Sequence, residues 1–265
     1  MMKKIYASST HVGIVREENQ DAVFVGTNQY HNIIALVCDG LGGYKGGAIA
    51  STLTRNLIRD NFLSTNFNKL SDEKMEEWFK KVLLKCKKQI AKYIDEYDKQ
   101  FQKEHDNVSL KQMATTIVLS IIANEKIYTF WVGDSRAYLI AKDKTVNQIT
   151  NDHNLYNYLK KINASDVTFK ANEKELLALT NIVSRDTSKV EFDTSFDFIN
   201  KGDEYLLLSS DGFYNFVMPE QFHDLLSLTD DMQKVADNLI QNGMNAMSND
   251  NLSVVVVKLT EVING

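Results

Sequence analysis

Residues 115–141 read TTIVLSIIANEKIYTFWVGDSRAYLIA, three apolar runs parted by Asn124-Glu125 and by Asp134-Ser135-Arg136. Each run has strand length and is rich in β-branched and aromatic residues, so residues 115–122, 127–132 and 137–141 are expected as strands. Their short polar turns favour antiparallel pairing, most simply as a meander. The runs are nearly unbroken by polar residues. A strand facing water on one side would alternate, so these must be covered on both faces.

The same texture recurs at 33–38 (IIALVC), 205–208 (YLLL) and 252–259 (LSVVVVKL). Further strands are expected at 5–8, 21–26 and 196–199. Helical spacing marks residues 48–63 and, from Asp72 onward, Met75, Trp78, Phe79, Val82, Leu83, Cys86, Ile90, Ile94 and Tyr97, with a basic outer face. Helices are also expected at 219–226 and 232–241, and short ones at 155–162 and 173–179 within a mixed polar stretch. The order is strands, two helices, strands, a mixed insert, strands, two helices, strand. This predicts the α+β class, as a four-layer αββα sandwich: two antiparallel sheets face to face, flanked by helices.

The chain has 265 residues, a single proline (Pro219) and no Gly-, Ser- or Pro-rich linker, so one domain spanning 1–265 is expected. Net charge is −5, which speaks against binding a phosphate backbone, so no nucleic-acid partner is expected. The opening MMKKIYASST is not followed by an apolar stretch of signal-peptide length, and no segment is apolar enough to span a membrane. A cytoplasmic protein is therefore expected. Cys38 and Cys86 lack paired spacing and read as reduced core residues.

Four aspartates stand where strand-like runs end or begin: ALVCDG at Asp39, FWVGDS at Asp134, LLLSSDG at Asp211 and NDNLSVVVV at Asp250. Each alone reads more readily as a turn than as a ligand, and Asp134 has an obvious neighbour in Arg136. Together they point to a carboxylate-lined metal site, because turns accept Asn, Ser or Gly as readily as Asp. Clustered carboxylates raise one another's pKa unless a cation compensates. Carboxylates without a His or Cys cluster suit Mg²⁺ or Mn²⁺ and not structural zinc. Two such ions can activate water and hold a phosphoryl oxygen. Arg16, in VREENQD beside Asp21, could supply a planar cation for phosphate. The loop GLGGYKGG (40–47) has neither P-loop nor dinucleotide spacing; Gly40 is better read as a residue whose carbonyl approaches a metal.

In order along the chain, VREENQDAVFV, ALVCDGLGGYKGG, ATTIVL, WVGDSRAYLI, TNDHN, LLLSSDGFYNFV and DNLSVVVV resemble the PP2C (PPM) family of metal-dependent serine/threonine protein phosphatases, bacterial branch. The match runs from Arg16 to Val257. The resemblance implies that Asp39 bridges two metals, that Gly40 lends its carbonyl, and that Asp211 and Asp250 complete one ion's shell. It implies that Asp134, with Asp211, helps hold a weaker third ion. Arg16 would bind phosphate, Asp21 would support metal-bound waters, and His153 would be structural or catalytic. The implied reaction is attack of a metal-bridging hydroxide on a phosphoserine or phosphothreonine monoester. Residues 154–188 correspond to the family's variable flap, whose usual ending is poorly kept here as NIVSRDTS. The implied partners are phosphorylated proteins, a serine/threonine kinase and its substrates among them, with the phosphatase a monomer. Competing readings are a catalytically silent phosphoprotein-binding module and a metal-dependent nuclease or phosphodiesterase; turnover of a monoester but not a diester separates them from the phosphatase.

Overall fold

A computed structural model describes residues 5–41, 46–101 and 110–263. The chain runs through β1 (Tyr6–His11), β2 (Ala22–Thr27), β3 (Ile33–Cys38), β4 (Gly40–Leu41), α1 (Gly46–Leu63), α2 (Asp72–Phe101), β5 (Ala114–Thr115), β6 (Ile117–Ala123), β7 (Lys126–Val132), β8 (Arg136–Ala141) and β9 (Val146–Gln148). It continues through α3 (Leu155–Lys161), α4 (Asp166–Ala171), β10 (Asp193–Phe198), β11 (Asp203–Ser209), α5 (Asp211–Tyr214), α6 (Phe222–Leu226), α7 (Met232–Asn245), β12 (Leu252–Lys258) and α8 (Leu259–Ile263).

The expected four layers are present. One sheet has the order β10-β7-β6-β3-β2 and the other β1-β12-β11-β8-β9, with every pairing antiparallel. The unbroken apolar runs are explained by two-sided burial. In β3, Ile33, Ala35 and Val37 face the space between the sheets, where they meet Leu206, Leu208, Val255 and Val257 of the second sheet. The alternate residues Ile34, Leu36 and Cys38 face outward onto α1 and α2, among Ile58, Phe62, Phe79 and Leu83. On the far side, Leu207, Val254 and Val256 pack against Val235, Ala236 and Leu239 of α7. Cys38 and Cys86 are both buried and free.

The meander expected for 115–141 does not form. β6 and β7 pair from Ile117↔Val132 to Ala123↔Lys126, but β8 leaves for the other sheet, where it lies between β11 and β9. The cause is Gly133, at φ +107, a conformation that side chains rarely permit, and a Cβ there would sit 2.6 Å from Thr116 Cγ2. The chain turns out of one sheet and into the other, carrying Asp134 on the crossover. Gly133→Ala is therefore expected to lose about 2–3 kcal/mol of unfolding free energy. An unchanged urea midpoint would contradict this.

In the insert, α3 forms as expected, with the Asn154 side chain accepting from Asn157 N–H. The helix expected at 173–179 does not form. Its place is taken by α4, capped by Ser165, and by a single 3-10 turn at Glu173–Glu175. Residues 176–179 instead return against the start of α3, where Tyr156 N–H donates to Leu176 O and Leu155 N–H to Ala178 O. Their apolar spacing mimics a helix, but a capping Ser earlier in the chain fixes where helix begins. Smaller differences are the 3-10 start of the 219–226 helix at Pro219–Gln221 and the unanticipated β9 and α5.

Candidate active site

Antiparallel pairing fixes which strand ends share a rim. The pairs Ala22↔Cys38, Ile117↔Val132, Arg136↔Ser209, Ser209↔Val254 and His11↔Leu252 place the residues just outside those ends together. Asp21, Asp39, Asp134, Asp211 and Asp250 lie just beyond them, and so does the 12–20 loop that carries Arg16. Five carboxylates and one guanidinium thus converge although they come from opposite ends of the chain.

The carboxylates feel one another. Burial, then the charges of Asp21, Asp211, Asp134 and Asp250, holds the Asp39 carboxyl well above its usual range. Burial pushes Asp21 up to about 7, against the lowering effect of hydrogen bonds from Ser253 and Ser210. Burial and then Asp211 push Asp134 up to about 7. Asp211 is raised by burial and by Asp250, and it lies within hydrogen-bonding reach of Asp39. Among the described residues no three carboxylate or imidazole groups close around one point tightly enough to cage an ion by themselves. An open set of half-buried, mutually repelling carboxylates nevertheless fits a hard divalent cation. Mg²⁺ typically takes one or two carboxylates and keeps several waters.

The supporting contacts are specific. Thr115 Oγ1 donates to Asp39 O at 2.7 Å, Thr116 N–H donates to the same carbonyl at 2.8 Å, and Asp39 N–H donates to Thr116 Oγ1 at 3.0 Å. β4 and β5 pair Gly40 with Thr115, and a Cβ on Gly40 would overlap the carbonyls of Gly47 and Gln20, so only glycine permits this close approach. The remainder of the glycine loop, 42–45, lies outside the described residues. Ser210 Oγ donates to Asp21 Oδ2 at 2.8 Å. Asn251 Nδ2 donates to Val12 O and Glu18 O, and its Oδ1 accepts from Gln20 N–H, which pins the Arg16 loop beside Asp250.

Arg16 pairs with Asp250 at 2.8 Å, not with its sequence neighbour Asp21, and its side chain is 53% exposed. Nor does Asp134 pair with Arg136. Arg136 instead forms a two-pronged pair with Asp152 at 2.9 and 2.7 Å and stacks on Tyr214 at 3.8 Å, while Tyr214 Oη donates to the Asp134 carbonyl. The Asp134 carboxylate is left for other work. His153 is not brought into the cluster. Its ring Nδ1 accepts from Gly133 N–H at 3.1 Å, its backbone N–H donates to Gly133 O, and its ring Nε2 faces Asp193 at 3.2 Å. It braces the backbone on the N-terminal side of Asp134.

Thr115, Thr116, Ser210 and Asn251 carry no assigned role in the sequence reading. The signal was present: hydroxyls and an amide at the ends of otherwise apolar runs, where a buried polar group must find a partner.

The family model described as "Protein phosphatase 2C" matches residues 14–253. The chain belongs to the protein phosphatase 2C family. A Mycoplasma pneumoniae protein, provisionally named a protein phosphatase, is 36% identical over 98% of this chain and 97% of its own length. The serine/threonine phosphatase stp of Listeria welshimeri is 30% identical over 94% of this chain and 93% of its own. Among solved structures, the serine/threonine phosphatase Stp1 of Staphylococcus aureus superposes with a TM-score of 0.79 at 26% identity, covering 96% of this chain and 94% of that one.

Proposed function

We propose that this chain is a metal-dependent protein phosphatase that hydrolyses phosphoserine and phosphothreonine monoesters. The observation that supports this most is the convergence of five carboxylates and one exposed arginine at a single rim of the sandwich. Asp39, Gly40 through its carbonyl, Asp211 and Asp250 would hold two ions, Mn²⁺ or Mg²⁺, and Asp134 with Asp211 a weaker third. Bound there, the ions supply Lewis-acid activation of water and of the phosphoryl group.

The chain's own groups divide the remaining work. The Arg16 guanidinium, whose Nη2 donates to Asp250 and whose Nε donates to Asn249 O, has Nη donors left for phosphoryl oxygens. Asp21, half-buried and fixed by Ser210, can accept from water and orient it. Asn251 keeps the Arg16 loop in register with Asp250. The substrates would be phosphorylated proteins, with a serine/threonine kinase and that kinase's targets among them, met by one domain spanning the chain and acting as a monomer. Among the described residues no helix is long and apolar enough to cross a membrane.

Turnover of a phosphothreonine peptide with added Mn²⁺ tests this reading, with a phosphodiester as control. Hydrolysis of the monoester alone is expected; cleavage of the diester alone would replace the proposal with a nuclease reading. Arg16→Ala should raise KM for the peptide about 10- to 100-fold, as loss of charge-assisted hydrogen bonds requires, with the larger change in KM and not in kcat. An unaltered KM would remove Arg16 from the phosphate site.

A further inference from the structure

Outside the carboxylate cluster, a cavity of 660 Å³ opens between two stretches of chain, 151–155 on one wall and 189–193 on the other, with Tyr158 and Lys161 of α3 at its edge. Residues 189–193 have the pattern of a strand that lacks a partner. Val190 and Phe192 pack onto the apolar core, and the Phe192 ring lies edge-on to Phe79 at 5.0 Å. Lys189, Glu191 and Asp193 alternate with them and are exposed. The stretch runs directly into β10, the edge strand of its sheet, whose ladder with β7 begins only at Asp193↔Trp131.

The backbone of this stretch is open. Among the described residues, no N–H of 189–192 donates to another backbone group, and of their carbonyls only that of Glu191 is engaged, by Asn181 Nδ2 at 3.1 Å. Backbone groups left open beside a sheet edge are what an added strand satisfies. Apolar anchoring holds the stretch extended beforehand, so little ordering is left to be done on binding. The charges select further. Lys161 and Lys189 form no ion pair among the described residues and border the same cavity. On the facing wall Asp152 is neutralised by Arg136; on the 189–193 wall Asp193 faces His153, and Glu191 lies between it and Lys189.

We propose that this cavity binds an extended peptide segment of a phosphoprotein, added as a strand along residues 189–192 with an acidic side chain opposite Lys161 and Lys189. The identity of the segment's owner rests on the phosphatase reading; the strand-addition site does not. A segment docked here lies against Asp152 and His153, which hold Arg136 and Gly133 on either side of Asp134. The rest of the phosphoprotein is thereby kept beside the carboxylate rim.

The probes are fluorescein-labelled phosphothreonine peptides bearing a short extension of alternating Glu and Val on one side or the other of the phosphoresidue. A matched set has alternate backbone amides of the extension N-methylated. Anisotropy reads binding without turnover, and p-nitrophenyl phosphate hydrolysis reads the active site alone. One of the extensions should bind at least about tenfold more tightly than the bare peptide. N-methylation should abolish that gain, and so should the double substitution Lys161→Glu/Lys189→Glu, while p-nitrophenyl phosphate kcat/KM stays within about twofold. The proposal is overturned if neither extension binds more tightly, or if either change leaves the gain intact. Failure of the phosphatase reading would show separately, as no hydrolysis of p-nitrophenyl phosphate or of any phosphopeptide whatever the anisotropy.

Discussion

Asp39→Asn should cost at least about a thousandfold in kcat/KM while making the metal-free protein harder to unfold at pH 8. The two effects share one cause. Asn keeps the shape of Asp but removes a half-buried charge that Asp21, Asp211, Asp134 and Asp250 all oppose. The metal-free fold is relieved of that repulsion, so its urea midpoint should rise. The ions would lose the carboxylate proposed to hold both of them. Lewis-acid stabilisation is worth several kcal/mol, and about 4 kcal/mol corresponds to a thousandfold in rate. Because Asn retains the volume and the backbone contacts to Thr115 and Thr116, lost activity cannot be charged to misfolding if the urea midpoint rises. A variant that loses activity and stability together would assign Asp39 to the scaffold.

Stabilisation by Mn²⁺ should grow as pH rises from 5 to 8. The Asp21 and Asp134 carboxyls are pushed up to about 7, from the 3.8 they would have unfolded. A group whose folded pKa is raised contributes stability that is complete below its unfolded value and is lost as pH climbs through its folded value. The metal-free fold should accordingly weaken between about pH 4 and 7. Carboxylates with the opposite displacement, such as Glu77 beside Lys74 and Lys81, lose their contribution only as pH falls below about 5 and leave the trend above it unchanged. A divalent ion held there would replace the protons that these half-buried carboxyls give up. The Mn²⁺-induced rise in Tm should thus be about 5–10 °C larger at pH 8 than at pH 5, taking about 2–4 °C per kcal/mol for a chain of this size. A rise independent of pH would place the ion away from Asp21 and Asp134.

Which parts of this were legible in the sequence follows from the range of the forces involved. Two-sided burial marks every residue of a strand, so IIALVC, YLLLS and LSVVVV announced themselves, and the aspartates at their ends came with them. The αββα layering followed from the order of strand and helix blocks. The sheet switch after Val132 was not legible. Asn124-Glu125 and Asp134-Ser135 look alike as local turns, and only the approach of Gly133 to Thr116, seventeen positions apart, sends β8 into the other sheet. The pairing of Arg16 was hidden for the same reason, since its partner Asp250 is brought near by β1 pairing with β12. In the insert, leucines at 176, 177 and 179 imitated a helical stripe while serving a turn back to the start of α3. The hydroxyls of Thr115 and Thr116 belong between these cases: visible as polar residues at a strand end, but assignable only once the backbone of Asp39 lies opposite them.

A crystal structure of the protein grown with Mn²⁺ tests the central claim most directly. The account predicts two ions at the rim with Asp39 between them, Gly40 O on one, Asp211 and Asp250 on one, and Arg16 free to turn toward a phosphate. Ions found elsewhere, or none touching Asp39 in a crystal whose protein hydrolyses phosphothreonine peptide, would contradict it.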